Sequence, residues 1–172
     1  MTPRRAYGLL WERYGPQGWW PTTAPGAQAA SYRARRYGPP PPREAFEVCA
    51  GAILTQNTAW TNVRRALESL RADGPLTAER LARLPARRLE RLVRPSGYFR
   101  QKADRLRRFA RWAGSAGALA RSLRDEPLGE LRARLLALKG VGPETADSML
   151  LYGGARPVFV VDAYTRRIGA RV

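Results

Sequence analysis

The sequence contains no histidine and only one cysteine among its 172 residues. Without histidine there is no histidine general base, no Ser-His-Asp triad and no histidine-ligated metal. A single cysteine excludes a four-cysteine zinc site, a four-cysteine iron–sulfur cluster and a disulfide bond within these residues. We therefore expect no metal and no cofactor, and three common kinds of catalytic centre are excluded.

Long hydrophobic runs are also absent. No stretch approaches the roughly 20 apolar residues that a membrane-spanning helix needs, and the first five residues, Met-Thr-Pro-Arg-Arg, lack the apolar core of a signal peptide. We expect a monomeric cytoplasmic, nucleoid-associated protein with no membrane partner. The hydrophobic fraction of 44% is enough to bury a core. Length and composition indicate one domain, or two small lobes that share a core.

Lysine is scarce, although positive charge is abundant. Of 31 basic residues all but Lys102 and Lys139 are arginine, and the formal net charge is +17. An arginine excess of this kind is explained by the codon usage of a GC-rich genome, with arginines on ordinary solvated helix faces. A charge of +17 on a small domain also attracts a polyanion such as a phosphate backbone. Composition alone leaves both interpretations open.

The chain divides into three segments by composition. Residues 1–21 predict a short amphipathic helix over residues 3–14, with Leu9, Leu10 and Trp11 facing inward, followed by a Trp-Trp-Pro motif. Residues 22–43 carry five prolines, four arginines and no acid, which indicates a mobile inserted loop. Residues 44–172 have helical periodicity, so we expect an all-α protein of about ten short helices.

Within the helical segment, several helices can be placed by their apolar spacing and capping residues. Thr61, Thr77 and Asp162 each precede a helical pattern and are predicted N-caps. Cys49 falls on the apolar face of the first of these helices, which predicts an inert core thiol.

A helix–turn–helix pattern surrounds Lys139, Gly140, Val141 and Gly142, with Pro143 opening the second helix. The glycines allow the backbone to approach another surface closely. The free N–H groups at the start of the second helix suit a phosphate oxygen. This arrangement predicts sequence-independent contact with DNA. An ordinary turn between two helices, with glycine as the C-cap, accounts equally well for the glycines alone.

About twenty residues further on, Val160 and Val161 form an extended run that ends at Asp162. Taken together, the hairpin, apolar helix, glycine-containing turn, valine run and aspartate resemble the helix-hairpin-helix, Gly/Pro-rich, aspartate superfamily of DNA glycosylases, whose type member is endonuclease III. The resemblance implies two helical lobes with a cleft, double-stranded DNA containing a damaged base as the partner, and Asp162 as the catalytic carboxylate. A plain helix N-cap is the alternative role for Asp162.

The chemistry of base removal agrees with that assignment. Cleavage of an N-glycosidic bond builds positive charge on the sugar, which a fixed carboxylate stabilises, as in glycoside hydrolysis. A damaged base costs less to flip out of the duplex, and a cationic alkylated purine leaves without strong acid catalysis. The chemistry then requires no histidine.

One position discriminates within the superfamily. Its bifunctional members carry a lysine in the second hairpin helix that forms a Schiff base with the sugar. The matching residue here is Glu144, eighteen residues before Asp162. The resemblance therefore implies a monofunctional glycosylase without lyase activity. The alternatives are an endonuclease III-like glycosylase/lyase for oxidised pyrimidines, and an inactive DNA-binding module.

Two further stretches, Phe46–Thr58 and Arg94–Ala103, together with the Trp-Trp-Pro motif, resemble the bacterial 3-methyladenine DNA glycosylase subgroup. In that subgroup aromatic side chains stack on the flipped base, which implies a base pocket formed by Trp19, Trp20 and Trp60. A cationic purine gains cation–π stabilisation on an indole face. Packing in the core or at an interface is the alternative role for these tryptophans.

Two DNA contacts are expected outside the hairpin, and the resemblance implies the first of them. Gln56 matches the residue that enters the gap left by the flipped base, although a buried helix-end amide has an ordinary structural role as well. In the helix that follows Asp162, either Arg166 or Arg167 is expected to meet a phosphate.

The sequence departs from the family in two places. It ends ten residues after Asp162, whereas family members continue through further helices, so we expect a fragment or a shortened protein with an uncovered N-terminal helix. The insertion at residues 22–43 lies beside the expected pocket and would widen or cover it.

Overall fold

The computed structural model describes residues 2–27 and 29–171, and in these residues it is all-α. The predicted class is confirmed. The helices are α1 Pro3–Tyr14, α2 Pro42–Leu54, α3 Trp60–Ala72, α4 Ala78–Arg83, α5 Ala86–Val93, α6 Phe99–Ala113, α7 Ala116–Asp125, α8 Leu128–Leu136, α9 Pro143–Ser148 and α10 Ala163–Gly169. A 3₁₀ turn spans Arg94–Ser96, and a π-helical turn spans Met149–Gly153. No helix in the described part of the chain is long and apolar enough to cross a membrane.

Helix α2 is the centre of the core. Every residue from Glu44 to Leu54 is buried, and the helix packs against α6, α7 and the π-helical turn. Phe46 stacks on Phe109 with ring centroids 5.9 Å apart. Each buried side chain of this size contributes about 1.5–3 kcal/mol of hydrophobic stabilisation. Because α2 is surrounded on all sides, the residues that follow it are held in fixed positions.

The predicted helix caps agree with the structure at two of three positions. Thr77 accepts a hydrogen bond from the N–H of Arg80, and Asp162 accepts one from the N–H of Thr165. The prediction for Thr61 is wrong, because α3 begins one residue earlier, at Trp60, and Ala59 holds the extended N-cap conformation. Thr61 therefore lies inside the first turn of the helix.

Helix α1 forms as predicted, but the expected inward packing of its apolar face is wrong. Leu9, Leu10 and Trp11 are about half exposed, and α1 contains no buried residue. Trp11 instead stacks on Tyr7 with centroids 5.9 Å apart. In the described residues this apolar face is uncovered.

In the insertion, residues 22–27 and 29–41 form no helix before α2 begins at Pro42. Its composition predicts a mobile loop, but the structure shows a segment with specific contacts. Thr22 and Ser31 exchange two backbone hydrogen bonds of 3.0 and 3.3 Å, and Glu44 of α2 binds side chains of the segment. The segment therefore has defined contacts with the core.

Candidate active site

The hairpin turn at residues 139–142 joins α8 to α9. Gly140 has φ +90°, and a Cβ atom there would lie 2.3 Å from the Nε of Arg105. Only glycine fits this position without displacing its neighbour. Val141 is buried, and its N–H donates to the carbonyl oxygen of Leu138 at 2.9 Å. Of the four residues predicted to contact DNA here, Lys139 is exposed, Gly140 and Gly142 are half-buried, and Val141 belongs to the core.

Gln56, just beyond α2, is bonded to the hairpin. Its amide nitrogen donates to the carbonyl oxygen of Gly140 at 2.9 Å and to the hydroxyl of Thr145 at 3.0 Å. Its amide oxygen accepts from the guanidinium of Arg105 at 2.5 Å. All three bonds are made to other residues of the chain and are partly buried. In this structure Gln56 therefore ties the hairpin to the core, and filling a gap in DNA would require these bonds to break.

A cleft of about 740 Å³ lies between the hairpin helix, the Trp-Trp-Pro segment and the start of α10. It brings together six residues that the sequence analysis singled out: Trp19, Trp20, Gln56, Trp60, Glu144 and Asp162. These residues span most of the chain. Their convergence on one cavity makes it the candidate active site.

Asp162 caps α10 and lines the cleft at the same time. Its Oδ1 atom accepts both from the N–H of Thr165 at 2.6 Å and from the hydroxyl of Thr165 at 2.7 Å. The second carboxylate oxygen, Oδ2, has no protein partner among the described residues. The two roles considered from the sequence are therefore compatible, since one oxygen orients the carboxylate and the other remains available to a substrate.

Tyr152 is a cleft residue that the sequence analysis missed. Its ring centroid lies 5.6 Å from that of Trp20, and the π-helical turn carries it into the cavity wall. Burial, with a smaller effect from the negative charge of Asp162, raises the pKa of Tyr152 above its usual value. The phenol is therefore neutral near pH 7 and remains a hydrogen-bond donor. Glu144, Ser148 and Tyr152 all line the cleft, and they are spaced four residues apart in the sequence. Because residues at this spacing share one face of a helix, the spacing is a signal that could have predicted Tyr152.

The three tryptophans of the cleft contact one another. Ring centroids of Trp19 and Trp60 are 5.8 Å apart at an angle of 59°, and those of Trp20 and Trp60 are 5.3 Å apart and nearly perpendicular. A base inserted between two parallel rings needs about 7 Å, twice the contact distance of carbon atoms. The rings must therefore separate or rotate before a base can stack between them.

Neither of the two lysines lines the cleft. Lys102 is buried, and its Nζ donates to the carbonyl oxygens of Leu54 at 2.8 Å and Ser96 at 2.5 Å. Lys139 is exposed on the hairpin turn. Glu144, in contrast, is exposed and lines the cleft. The cavity thus contains two carboxylates and no amine among the described residues.

A second groove of about 600 Å³ runs along the outer side of the hairpin helix. Gly142, Glu144 and Arg166 line it, and Arg166 is exposed. Arg166, the predicted phosphate contact, thus lies in the same groove as Gly142 of the hairpin.

The chain is similar to known DNA repair proteins along most of its length. A protein of Methanocaldococcus jannaschii named Putative DNA repair glycosylase is 37% identical over 172 residues, which cover 98% of this chain and 68% of that protein. The crystal structure of the Helicobacter pylori 3-methyladenine DNA glycosylase bound to 1,N6-ethenoadenine matches with a TM-score of 0.61 and 32% identity, over 72% of this chain and 61% of that one.

A non-covalent endonuclease III–DNA complex has the same fold, with a TM-score of 0.64 and 19% identity over 98% of this chain and 68% of that one. The family profile described as HhH-GPD superfamily base excision DNA repair protein matches residues 50–172, which include the hairpin, Glu144 and Asp162. The chain belongs to the helix-hairpin-helix GPD superfamily of base excision DNA repair proteins.

Proposed function

We propose that this protein is a monofunctional DNA N-glycosylase that removes alkylated purines of the 3-methyladenine type from duplex DNA. The observation that carries the proposal is the composition of the cleft. Within the described residues, a carboxylate with one unbonded oxygen shares a cavity of about 740 Å³ with three indole rings, and no amine lines that cavity. The net charge of +17 supports DNA as the partner.

Asp162 is the proposed catalytic residue. Departure of the base leaves positive charge on the sugar, and the Oδ2 atom of Asp162 is placed to stabilise it or to orient the attacking water. The two bonds from Thr165 hold the carboxylate in place before the reaction. Preorganised charge of this kind needs no rearrangement at the moment of bond cleavage.

Selectivity for a cationic purine follows from the aromatic walls. Stacking on an indole contributes about 1–3 kcal/mol per base, and a positive ring gains a cation–π term in addition. Similarity to the Helicobacter pylori 3-methyladenine DNA glycosylase supports this substrate class. Trp19, Trp20 and Trp60 are the proposed stacking surfaces.

We propose that the protein has no lyase activity, because Glu144 stands where bifunctional members of the superfamily carry a lysine. A carboxylate cannot form the imine that strand cutting by this route requires. Lys102 is engaged by two carbonyl oxygens in the core, and Lys139 lies outside the cleft. Sodium borohydride should therefore trap no covalent complex between the protein and abasic DNA.

The test is a panel of duplexes carrying single lesions: 3-methyladenine, 7-methylguanine, 1,N6-ethenoadenine, uracil and thymine glycol. We expect release of free alkylated purine by the wild type, with the strand cut only after alkali. Release of thymine glycol with direct strand cutting would support the endonuclease III-like alternative. DNA binding without release of any base would support the inactive module.

A further inference from the structure

We propose that the insertion, residues 22–43, supports the wall of the base-binding cleft, with Tyr32 and Arg33 as positioning residues for Trp19. The proposal rests on the function proposed above and adds a specificity role that the sequence did not assign. Three sets of contacts carry it, and they connect the insertion to Trp19, to the preceding Gly18 and to the core helix α2.

The first contact is aromatic. The ring of Tyr32 lies 5.4 Å from that of Trp19, at an angle of 31°. Trp19 lines the cleft, whereas Tyr32 does not. Tyr32 therefore supports the indole from outside the cavity. The same indole lies 5.8 Å from Trp60 inside the cleft, so Trp19 contacts one ring of the insertion and one ring of the core.

The second contact is made by backbone. Gly18 precedes Trp19 and has φ +65°, and a Cβ atom at this position would lie 2.3 Å from the carbonyl carbon of Arg33. No larger residue fits there without displacing main chain. The insertion therefore packs directly on the residue that precedes Trp19 in the chain.

The third set of contacts fixes the insertion to α2. One oxygen of Glu44 accepts from the hydroxyl of Thr22 at 2.6 Å, from Arg33 at 2.5 Å and from Arg36 at 2.7 Å. The Glu44 side chain is only 5% exposed. A buried carboxylate is tolerated only when cations and donors satisfy it, and breaking one such pair leaves an uncompensated charge. The insertion is thus joined to the central helix of the core.

The next turn of α2 repeats this arrangement. Glu47 accepts from the N–H of Thr23 at 3.2 Å and from its hydroxyl at 2.8 Å. Together with the backbone bonds between Thr22 and Ser31, these contacts fix both ends of the loop that leads to Tyr32.

The consequence concerns lesion recognition rather than DNA docking. A base that stacks between Trp19 and Trp60 requires these two rings to separate or rotate, and Tyr32 is the ring of the insertion that contacts Trp19. The hairpin and Arg166, which are proposed to meet phosphates, take no part in the contacts described above. Weakening the support should therefore change the excision of a damaged base and leave the affinity for undamaged duplex unchanged.

The experiment compares Tyr32→Ala with Tyr32→Phe and with Tyr37→Ala, a control in the same insertion whose side chain is 75% exposed. Single-turnover kinetics on the best lesion of the panel should show a loss of about two- to tenfold for Tyr32→Ala, the size expected for one aromatic contact. Tyr32→Phe should restore the wild-type rate, because the contact is made by the ring. Affinity for undamaged DNA should stay within about twofold throughout, since no phosphate contact is removed.

Near-ultraviolet circular dichroism of the same proteins supplies a readout that does not depend on catalysis. Coupling among the three contacting indoles should change in Tyr32→Ala and not in Tyr37→Ala. Arg33→Gln, which removes the bond to Glu44, should produce the same spectral change. If Tyr32→Ala matches the wild type in both spectrum and rate, the proposal is wrong. If neither the wild type nor any variant releases a base, the proposed function is wrong. The spectra then test on their own whether Tyr32 supports Trp19.

Discussion

The side-chain amide of Gln56 donates a hydrogen bond to the carbonyl oxygen of Gly140, 84 residues away in sequence, at a distance of 2.9 Å. The bond joins the end of the central helix α2 to the turn expected to approach DNA. Arg105 completes the arrangement by donating to Gln56 while its side chain lies against Gly140. The hairpin turn and the cleft are thus connected through one amide.

Gln56→Glu should destabilise the protein, because it replaces the two donating N–H groups with a second oxygen. The carbonyl of Gly140 then loses its partner, at a cost of about 1–3 kcal/mol. Urea denaturation measures the change. Gln101→Glu is the control, since Gln101 is exposed and meets Arg105 only at 3.4 Å. Equal stability of the two variants would show that the amide is not a structural link.

Gly140→Ala should lower stability by about 1–3 kcal/mol, the usual cost of a strained backbone conformation, because its φ is +90° and Arg105 occupies the space of a Cβ atom. Gly129→Ala makes a matched control. Gly129 lies in α8, and a Cβ atom added there would meet no atom within 4 Å, so alanine should stabilise the helix by about 0.5–1 kcal/mol. Opposite signs in the two denaturation curves are the expected result, and a stable Gly140→Ala variant would contradict the described turn.

Trp60→Ala should reduce single-turnover excision about tenfold or more if its ring stacks on the flipped base. Trp11→Ala on α1, outside the cleft, should leave the rate unchanged. Thermal unfolding of both variants separates stacking from packing. A loss of activity in Trp60→Ala that merely follows the fraction of unfolded protein would favour a packing role.

Lys102 should give the protein a distinctive pH dependence. Burial, together with the charge of Arg105, lowers the pKa of Lys102 to about 8, below its usual value near 10.5. Between these two values the unfolded chain holds a proton that the folded chain has lost, so the free energy of unfolding rises with pH across this window. The free energy of unfolding of the wild type should therefore increase relative to that of Lys102→Met as the pH rises from 8 to 10.5. A difference for Lys102→Met that stays constant with pH would refute the lowered pKa.

Local sequence patterns were sufficient for the helices and for part of the site. Thr77 and Asp162 were correctly predicted as caps, because a capping residue precedes an apolar period of about 3.6 residues. The prediction that Thr61 is an N-cap was wrong. The helix begins one residue earlier, at Trp60, and no local sequence signal distinguishes these two starting points. The position of Tyr152 in the cleft could have been predicted, because it follows Glu144 and Ser148 at intervals of four residues.

Contacts between distant segments could not be predicted. Nothing near Gln56 in the sequence indicates that Gly140, Thr145 and Arg105 satisfy its amide. The arginines of the insertion belong to a composition typical of a mobile loop, yet Arg33 and Arg36 meet a buried Glu44 that lies in another element. Which charges pair is decided by the fold, because the pairing depends on distances that composition does not contain.

The most direct test of the account is single-turnover release of an alkylated purine by Asp162→Asn compared with the wild type. Asparagine is also a good N-cap, so α10 should be retained, and thermal unfolding should confirm a folded protein. The account predicts a loss of about 10²–10⁴-fold, the range for a positioned catalytic group. A folded Asp162→Asn variant that releases the base at about the wild-type rate would contradict it.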